Sequence, residues 1–332
     1  MVEEALVAGV EYRIVCGISY CILSLIGLFA HSIVIFLFVQ RRRILMRNAF
    51  YTLALHMTFC DVVSLIVQLV VAVPLTLTAR NVYADLGIPL IYNMTNFIDT
   101  VIFNSLMVLT FWMAVNRLTV FWSYTINDAL FGRRAIICLI AITYLYCLTD
   151  TTTRQFFGCI KNFSTDGFYF FHKCIPGVGQ TILDFNGFQN IALPIGMFSI
   201  YFGLFLYLRA YLRIVHGNSV EHSNFGKRHA EFSLLIQGSI ICAFLELQTL
   251  SFMLFSKIPV SGMGTFYLTF LQNIISIMNN CVSPVIYFTC NQDMRAYARE
   301  SWRQFRGENT DLALPVATRM SQRHSRVSIM IN

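Results

Sequence analysis

The feature that most constrains this chain is an almost wholly apolar run from residue 92 to residue 121. A helix rises about 1.5 Å per residue, so about 20 apolar residues are enough to cross the hydrocarbon core of a bilayer. The run ends with Asn116, Arg117 and Leu118. An arginine at the end of a spanning helix is tolerated, because its side chain reaches the headgroups or a water-filled space between helices. The run therefore predicts a membrane-spanning helix with a basic end.

Six further apolar segments predict that the chain crosses the membrane seven times. The chain is 56% hydrophobic and 12% charged, whereas about a quarter of the residues of a soluble domain are charged. The predicted spans are residues 14–39, 49–77, 91–120, 135–157, 187–215, 231–255 and 265–289. The predicted fold class is therefore all-α, a membrane-embedded seven-transmembrane helix bundle.

A short amphipathic helix is predicted after the seventh span, over residues 294–305. A helix with one basic and one apolar face is typical of a segment that lies on the membrane surface. The residues concerned are Arg295, Arg299 and Arg303 on the basic side and Tyr297, Ala298 and Trp302 on the other. The chain thus divides into a short extracellular N-terminus (1–13), the bundle with its surface helix (14–305) and a disordered cytoplasmic tail (306–332).

The distribution of basic residues predicts the orientation of the bundle. With the N-terminus outside, 18 of the 24 Lys and Arg residues fall in the inner loops and the tail, and 6 fall on the outer side. An excess of Lys and Arg marks the cytoplasmic loops of membrane proteins. We therefore expect the N-terminus outside and the C-terminus inside, which agrees with an odd number of spans.

Polar residues in the middle of the second and seventh spans predict an intramembrane network. Asp61 lies in the second span, and Asn279, Asn280 and Ser283 lie at a similar depth in the seventh. These side chains can satisfy Asp61 through hydrogen bonds and waters, and both a structural carboxyl group and an ion site are compatible with the pattern. Pro284 frees a backbone carbonyl one turn earlier and permits a kink.

A candidate ligand pocket is predicted near the outer ends of the third and sixth spans. Asp99 lies 18 residues before Arg117, which is about 27 Å along a helix. Asp99 is either a counter-ion for a cationic ligand or an interfacial acid that pairs with Arg154 or Lys173. Glu246 carries the same ambiguity, and Gln248 completes the candidate pocket.

Glu231 opens the sixth span on the inner side. An acid at this position either stabilises the positive end of the helix dipole or forms an ion pair with Arg117 that latches the third and sixth spans in one conformation.

Cys159 and Cys174 lie in the long polar loop of residues 158–186, on the predicted outer side, where thiols are oxidised. A disulfide between them would close a loop of about 16 residues and stabilise the fold by about 3 kcal/mol. Asn162 begins an Asn-Phe-Ser sequon in the same loop, so glycosylation is predicted there.

Several classes of function are not indicated. The sequence contains no nucleophile–base arrangement, glycine-rich phosphate loop or Cys/His cluster, so neither an enzyme nor a metal site is expected. No cofactor is expected, and the basic residues do not form the aromatic-interleaved surface that a nucleic-acid site needs.

Several short motifs resemble those of rhodopsin-like seven-helix receptors. Asn116-Arg117-Leu118 resembles the Asp-Arg-Tyr motif of that family, Asp61 its acidic residue of the second span, and Pro194 its proline of the fifth. The run from Asn279 through Pro284 to Tyr287 resembles the Asn-Pro-x-x-Tyr motif, with Ser283 in place of Asn. His31 stands where the family has Asn. Together the arginine and proline–tyrosine runs are most similar to nematode serpentine chemoreceptors of class X.

This resemblance implies a G protein-coupled chemosensory receptor in the plasma membrane, in a sensory cilium by analogy with the family. It implies that a small ligand binds between the helices, that Arg117 contacts a heterotrimeric G protein after the sixth span moves outward, and that Tyr287 stabilises that state. The chain departs from the family pattern in two places. At the outer end of the third span the usual cysteine is missing, and Tyr92 lies near its position. In the sixth span, Gln248, Thr249 and Leu250 replace Trp-x-Pro.

Two other classes of membrane protein remain as alternatives. A transporter or channel for a small solute is disfavoured by the odd number of spans, the absence of an inverted repeat and the few intramembrane charges. A structural or chaperone-like membrane protein without a ligand is the third possibility.

Overall fold

The structure is a computed structural model that describes residues 9–165, 167–216, 225–255, 258 and 263–306, and within these it leaves out the side chains of 124, 208, 211–216, 225–234 and 292–293. Most of the predicted N-terminus and tail lies outside the described residues. The helices and strands are, in chain order, α1 (Val10–Gln40), α2 (Arg42–Leu45), α3 (Ala49–Val67), α4 (Val73–Thr78), α5 (Val82–Asp85), α6 (Pro89–Trp122), α7 (Tyr124–Phe131), α8 (Arg133–Phe156), β1 (Cys159–Phe163), β2 (Phe170–Cys174), α9 (Val178–His216), α10 (Phe225–Phe255), α11 (Met263–Cys290) and α12 (Gln292–Phe305).

All seven predicted spans correspond to helices: α1, α3 with α4, α6, α8, α9, α10 and α11. Within the part of the chain that the structure describes, six of these are both long and apolar enough to cross a membrane. The seventh, α11, has 28 residues, or about 42 Å, but carries Gln272, Asn273, Asn279 and Asn280 on its buried side. The predicted all-α bundle is confirmed.

The second span contains a π-helical turn, Gln68–Ala72, between α3 and α4. Pro74 follows this turn and has no N–H group, so the carbonyl of Val70 loses its helical donor. The hydroxyl group of Tyr83 donates a hydrogen bond to that carbonyl instead. The short connection after α4 is thereby held against the end of the span.

A small antiparallel hairpin lies where the sequence predicts only a polar loop. Strands β1 and β2 pair with Cys159 opposite Cys174, and the predicted disulfide joins these two residues. Helix α9 begins at Val178, earlier than the predicted start at 187. Its first turns carry Gln180, Thr181, Asp184 and Asn186 among apolar residues, so they fall outside the uninterrupted apolar run from which the span was predicted.

The outer surface of the bundle is apolar and its interior contains polar side chains. Phe29, Ile142 and Phe198 are exposed on the outside, whereas Asp61 and Asn96 are buried. This distribution is expected where lipid, which offers polar groups no partner, surrounds the helices.

Helix α12 confirms the predicted amphipathic helix after the seventh span. The side chain of Asn291 accepts a hydrogen bond from the backbone N–H of Met294 (3.1 Å) and so caps the helix. Glu300 forms an ion pair with Arg41 at the end of α1 (2.8 Å). The end of the first span is thus tied to α12. We call this side of the bundle the α12 end and the opposite side the hairpin end.

Candidate functional site

A cavity of about 620 Å³ opens at the hairpin end between α3, α6, α9, α10, α11 and the hairpin. Its apolar wall includes Phe103, Phe170, Phe188, Ile191 and Phe252. Its polar lining includes Ser64, Gln68, Gln248, Ser276 and Asn280. Pockets of about 300–1,000 Å³ with apolar walls and a few polar groups are typical of small-molecule sites.

Asp99 lies in this cavity and is already paired with a cation. Its carboxylate accepts a hydrogen bond from the ammonium group of Lys161 in β1. The Lys161 nitrogen also lies 4.7 Å from the centroid of the Phe170 ring. The interpretation of Asp99 as an interfacial acid predicted Arg154 or Lys173 as its partner. The structure corrects this partner to Lys161.

The reason for this correction is the register of the hairpin. Lys161 is paired with His172, and Lys173 is paired with Ile160. Residues directly opposite each other in an antiparallel pair project to the same face, and neighbours along a strand project to opposite faces. Lys161 and His172 therefore share the face that lines the cavity, and Lys173 projects from the other.

A second buried ion pair joins three helices at the hairpin end, and sequence reasoning missed it. Asp150 of α8 accepts from Arg154 (2.9 Å), from Asn104 of α6 (3.4 Å) and from Asn186 of α9 (3.1 Å). The four-residue spacing of Asp150 and Arg154 in one helix was the available signal. This cluster fixes the spacing of α6, α8 and α9 beside the cavity.

Glu246 does not belong to the cavity. It lines a groove between α9 and α10 on the outer surface, together with Phe198, Phe202 and Leu247, whereas Gln248 lines the cavity. Residues two positions apart on a helix do not face the same side. The prediction that placed Glu246 and Gln248 in one pocket was therefore wrong for Glu246.

His172 is a second titratable group of the hairpin that lines the cavity, beside Lys161. Burial within the cavity wall, followed by the positive charges of Lys161 and Arg154, lowers the pKa of this imidazole to about 3. Its ring nevertheless remains open to the cavity, so it is a neutral hydrogen-bonding group near neutral pH.

The predicted polar network in the middle of the bundle forms two separate parts. In the first, Asp61 lies beside His31 of α1, with Nε2 and Oδ2 3.9 Å apart, and Ser283 lies within hydrogen-bonding reach of the carboxyl group. In the second, Asn279 donates to Gln248 (2.7 Å), which donates to Ser276 (2.9 Å). Asn279 therefore connects α11 to α10 and to the cavity.

His31 satisfies a carbonyl that Pro284 leaves without a helical donor. Pro284 lies inside α11, and its missing N–H would have bonded the carbonyl four residues earlier, which is that of Asn280. His31 Nε2 donates to this oxygen at 2.8 Å. The side chain that departs from the family pattern thus holds the first span to the proline turn of the seventh.

Arg117 is buried near the α12 end, with 1% of its surface exposed. Its guanidinium carbon lies 4.4 Å from the centroid of the Phe50 ring, and Phe50 packs edge-on against Tyr51. Tyr287 is buried in the same core and packs edge-on against Phe38. Helix α10 contains Glu231, whose side chain lies outside the described residues.

The neighbours of Arg117 in the motif have different surroundings. Asn116 donates to Asn127 of α7 (3.0 Å), and Thr119 donates to the same oxygen (3.0 Å). Leu118 packs among the apolar residues between α6, α9 and α10. Asn116 thus anchors the short helix that follows the third span.

Asn162, the first residue of the predicted sequon, lies in β1 opposite Phe171. Its side chain is partly exposed and donates to the carbonyl of Ile160 (3.5 Å). Glycosylation at this residue stays a prediction.

Comparison with known proteins identifies the family. The sequence matches the family described as serpentine type 7TM GPCR chemoreceptor Srx over residues 21–291, which is most of the chain. The chain belongs to this family. No curated protein matches it. The fold is similar to that of squid rhodopsin, with a TM-score of 0.69 and 13% identity over 95% of this chain and 97% of that one.

The Srx receptor is thus a multi-pass membrane protein and a G protein-coupled receptor, not an enzyme. The resemblance to class X serpentine chemoreceptors is confirmed. Membership of a receptor family also removes the support for a transporter or channel. Coupling to a G protein is implied by the family.

Proposed function

We propose that this Srx receptor binds a small extracellular molecule in the cavity at the hairpin end and activates a heterotrimeric G protein at the α12 end. One observation carries the proposal: helix α6 connects the cavity to the opposite end of the bundle. Asp99 of α6 lines the cavity of about 620 Å³, and the buried Arg117 lies on the same helix, about 27 Å from Asp99.

The chemistry of the cavity favours a neutral or mixed-polarity ligand over a simple cation. Lys161 already neutralises Asp99, so a cationic ligand would have to displace the ammonium group. Gln248, Ser276 and Asn280 offer uncharged hydrogen-bonding groups in the same cavity. Asp99 then serves mainly to hold β1 across the cavity mouth.

The coupling between the two ends is a shift between conformations. Arg117 is enclosed by its neighbours, so a transducer can contact it only after the surrounding helices separate. The pair of Gln248 with Asn279 joins the cavity wall to the seventh span. The pair of His31 with Asn280 lies at the next position of α11. A ligand that changes the first pair therefore acts on the helix that carries Pro284 and Tyr287.

The proposed orientation places the hairpin outside the cell, in the plasma membrane. The disulfide between Cys159 and Cys174 suits an oxidising compartment, and the Asn162 sequon suits the same side. The basic inner loops would then contact the acidic leaflet and the G protein. A sensory cilium is the location that the family suggests.

The test is ligand-dependent nucleotide exchange on a G protein, with a ligand found by screening the receptor against promiscuous G proteins. Arg117→Ala is expected to abolish exchange while leaving ligand binding in place. Arg80→Ala is the control, because Arg80 is an exposed arginine just after α4 at the hairpin end, away from the proposed G protein contacts, and its loss should leave exchange unchanged. Undiminished exchange in Arg117→Ala would refute the role of Arg117.

A further inference from the structure

The groove between α9 and α10 opens to the lipid-facing surface of the bundle and is separate from the cavity at the hairpin end. Its volume is about 620 Å³, which is within the range of sites for small molecules. Phe198, Phe202 and Leu247 line the groove, and each exposes at least half of its surface. The groove is therefore accessible to a small molecule that is dissolved in the bilayer.

Glu246 places a carboxyl group in this groove at the depth of the hydrocarbon. The apolar part of α10 runs from Leu235 to Phe255, and Glu246 lies 11 residues after its start and 9 residues before its end. The distance to Phe255 is about 14 Å along the helix, whereas half of a hydrocarbon core is about 15 Å thick. An ionisable group that faces lipid near the middle of the bilayer is costly and marks a candidate functional site.

The carboxyl group of Glu246 has no cationic partner within the part of the chain that the structure describes. Glu246 forms no ion pair or hydrogen bond there, and no other residue of the groove wall is Lys, Arg, Asp or Glu. Among the described basic residues, Arg117 and Arg154 are buried, and the others lie near helix ends, in the hairpin or in α12.

This distribution limits what can neutralise Glu246. The described surface of a second copy of the chain has no cation at this depth, so an ion pair between two receptors is not supplied. The ammonium group of a phospholipid stays in the headgroup region, about 15 Å from the middle of the bilayer. A complementary positive charge must therefore belong to a molecule that lies within the hydrocarbon.

The aromatic wall of the groove favours an amine over a neutral hydroxyl group. Phe198 and Phe202 lie one turn apart on α9, with ring centroids 6.1 Å apart and planes inclined by 10°. Cations are attracted to aromatic rings, most strongly where water is excluded. A hydrogen bond between an ammonium group and a carboxylate is also about twice as strong as one between neutral groups. A hydroxyl group gains neither advantage.

We propose that the groove between α9 and α10 binds a lipophilic amine from the bilayer, with the nitrogen at Glu246. The groove extends about 16 Å from Glu246 towards Leu235 and about 6 Å towards Leu250, so the ligand carries apolar groups on both sides of its nitrogen. The neutral amine enters from the hydrocarbon and takes the proton of the carboxyl group. An O–H bond breaks and an N–H bond forms, and the ion pair arises without moving a net charge through lipid.

The experiment is photolabelling of the full-length receptor in nanodiscs with N-methyldihexylamine that carries a diazirine in one chain. The neutral comparison is the secondary alcohol with the same two hexyl chains and the same diazirine, and labelled residues are located by mass spectrometry. The amine should label the groove residues of α9 and α10 saturably and should be displaced by unlabelled N-methyldihexylamine. The alcohol should label them weakly and without saturation. This measurement is independent of G protein exchange.

Variants at one position connect the labelling to the carboxyl group. Glu246→Gln keeps the shape of the side chain and should weaken the apparent affinity for the amine about 10- to 150-fold, because the hydrogen bond to a charged group is lost. This variant removes an acid from the lipid-facing surface, so it should not lower the unfolding temperature. Asp85→Asn is the control, since Asp85 is an exposed carboxylate of α5 outside the groove and its loss should leave the labelling unchanged.

Two kinds of result would overturn the proposal. Equal saturable labelling by the amine and the alcohol, or an unchanged affinity in Glu246→Gln, would show that Glu246 does not hold the nitrogen. Absence of saturable labelling would show that bilayer lipid alone fills the groove. If receptors with Leu247→Cys were then cross-linked to each other, a second copy would be the occupant instead.

Discussion

The hydrogen bond from His31 to the carbonyl of Asn280 makes a prediction that a double-mutant cycle can test. His31→Leu removes the donor and leaves the carbonyl buried without a partner, since Pro284 cannot supply one. An unsatisfied buried acceptor costs about 1–3 kcal/mol, which corresponds to a roughly 5- to 150-fold increase in the unfolding equilibrium constant. The bond length of 2.8 Å and the complete burial of His31 make the upper part of this range the expected result.

The second arm of the cycle restores the missing donor from within the helix. Pro284→Ala gives position 284 an N–H group that can bond the carbonyl of Asn280. In this background His31→Leu should cost about 1 kcal/mol less than in the wild type, because the carbonyl already has a partner. His31→Gln is the conservative control, since its amide can still donate to the same oxygen.

The assay is reversible or kinetic unfolding of the receptor in nanodiscs. Unfolding is monitored by the reaction of the buried cysteines with a thiol dye. Interaction energies between neighbouring residues are read from the departure from additivity. Strictly additive costs of His31→Leu and Pro284→Ala would refute the assignment of His31 as the partner of the freed carbonyl. Any cost of His31→Leu that remains in the Pro284→Ala background includes the loss of the contact between His31 and Asp61 (Nε2–Oδ2 3.9 Å).

Three further predictions concern the ends of the bundle. Asp99→Asn should weaken binding of neutral and cationic ligands alike, because it releases Lys161 and the hairpin; a selective loss for cations in binding assays would restore Asp99 as a counter-ion. Glu231→Ala should raise basal nucleotide exchange if this acid latches Arg117, and unchanged basal exchange would favour helix capping. Burial lowers the pKa of His172 to about 3, whereas the same imidazole in the unfolded chain takes up a proton near pH 6.5. The free energy of unfolding should therefore fall as the pH drops from 6.5 towards 3. His172→Gln should reduce this fall in unfolding scans, and a pH profile identical to that of the wild type would contradict the prediction.

The spans could be predicted because long apolar runs have few other uses. The runs around Phe29 and around Ile142 are too long and too free of charge for a soluble core, so bilayer thickness alone fixes them as helices. The disulfide was also predictable, because only Cys159 and Cys174 occur in the polar loop on the predicted oxidising side. Asp61 and Ser283 were found together because both are polar at the same depth in their spans.

The partners of charged residues could not be predicted, because they depend on facing and register. The pairing of Lys161 with Asp99 follows from the hairpin register, and the strands themselves were not predicted. Asn279 turns to Gln248 rather than joining Asp61, since neighbouring positions on α11 face different helices. The misplacement of Glu246 was avoidable, because helical geometry separates it from Gln248 without any coordinates.

The account depends most on the claim that the cavity opens outside the cell while the Arg117 end faces the interior. Epitope accessibility on intact cells tests this directly, with one tag inserted in the hairpin turn after Thr165 and another after Arg306. We expect the hairpin tag to be labelled on intact cells and the second tag only after permeabilisation. Labelling of the second tag on intact cells, or of both tags on the same side, would contradict the proposed mechanism.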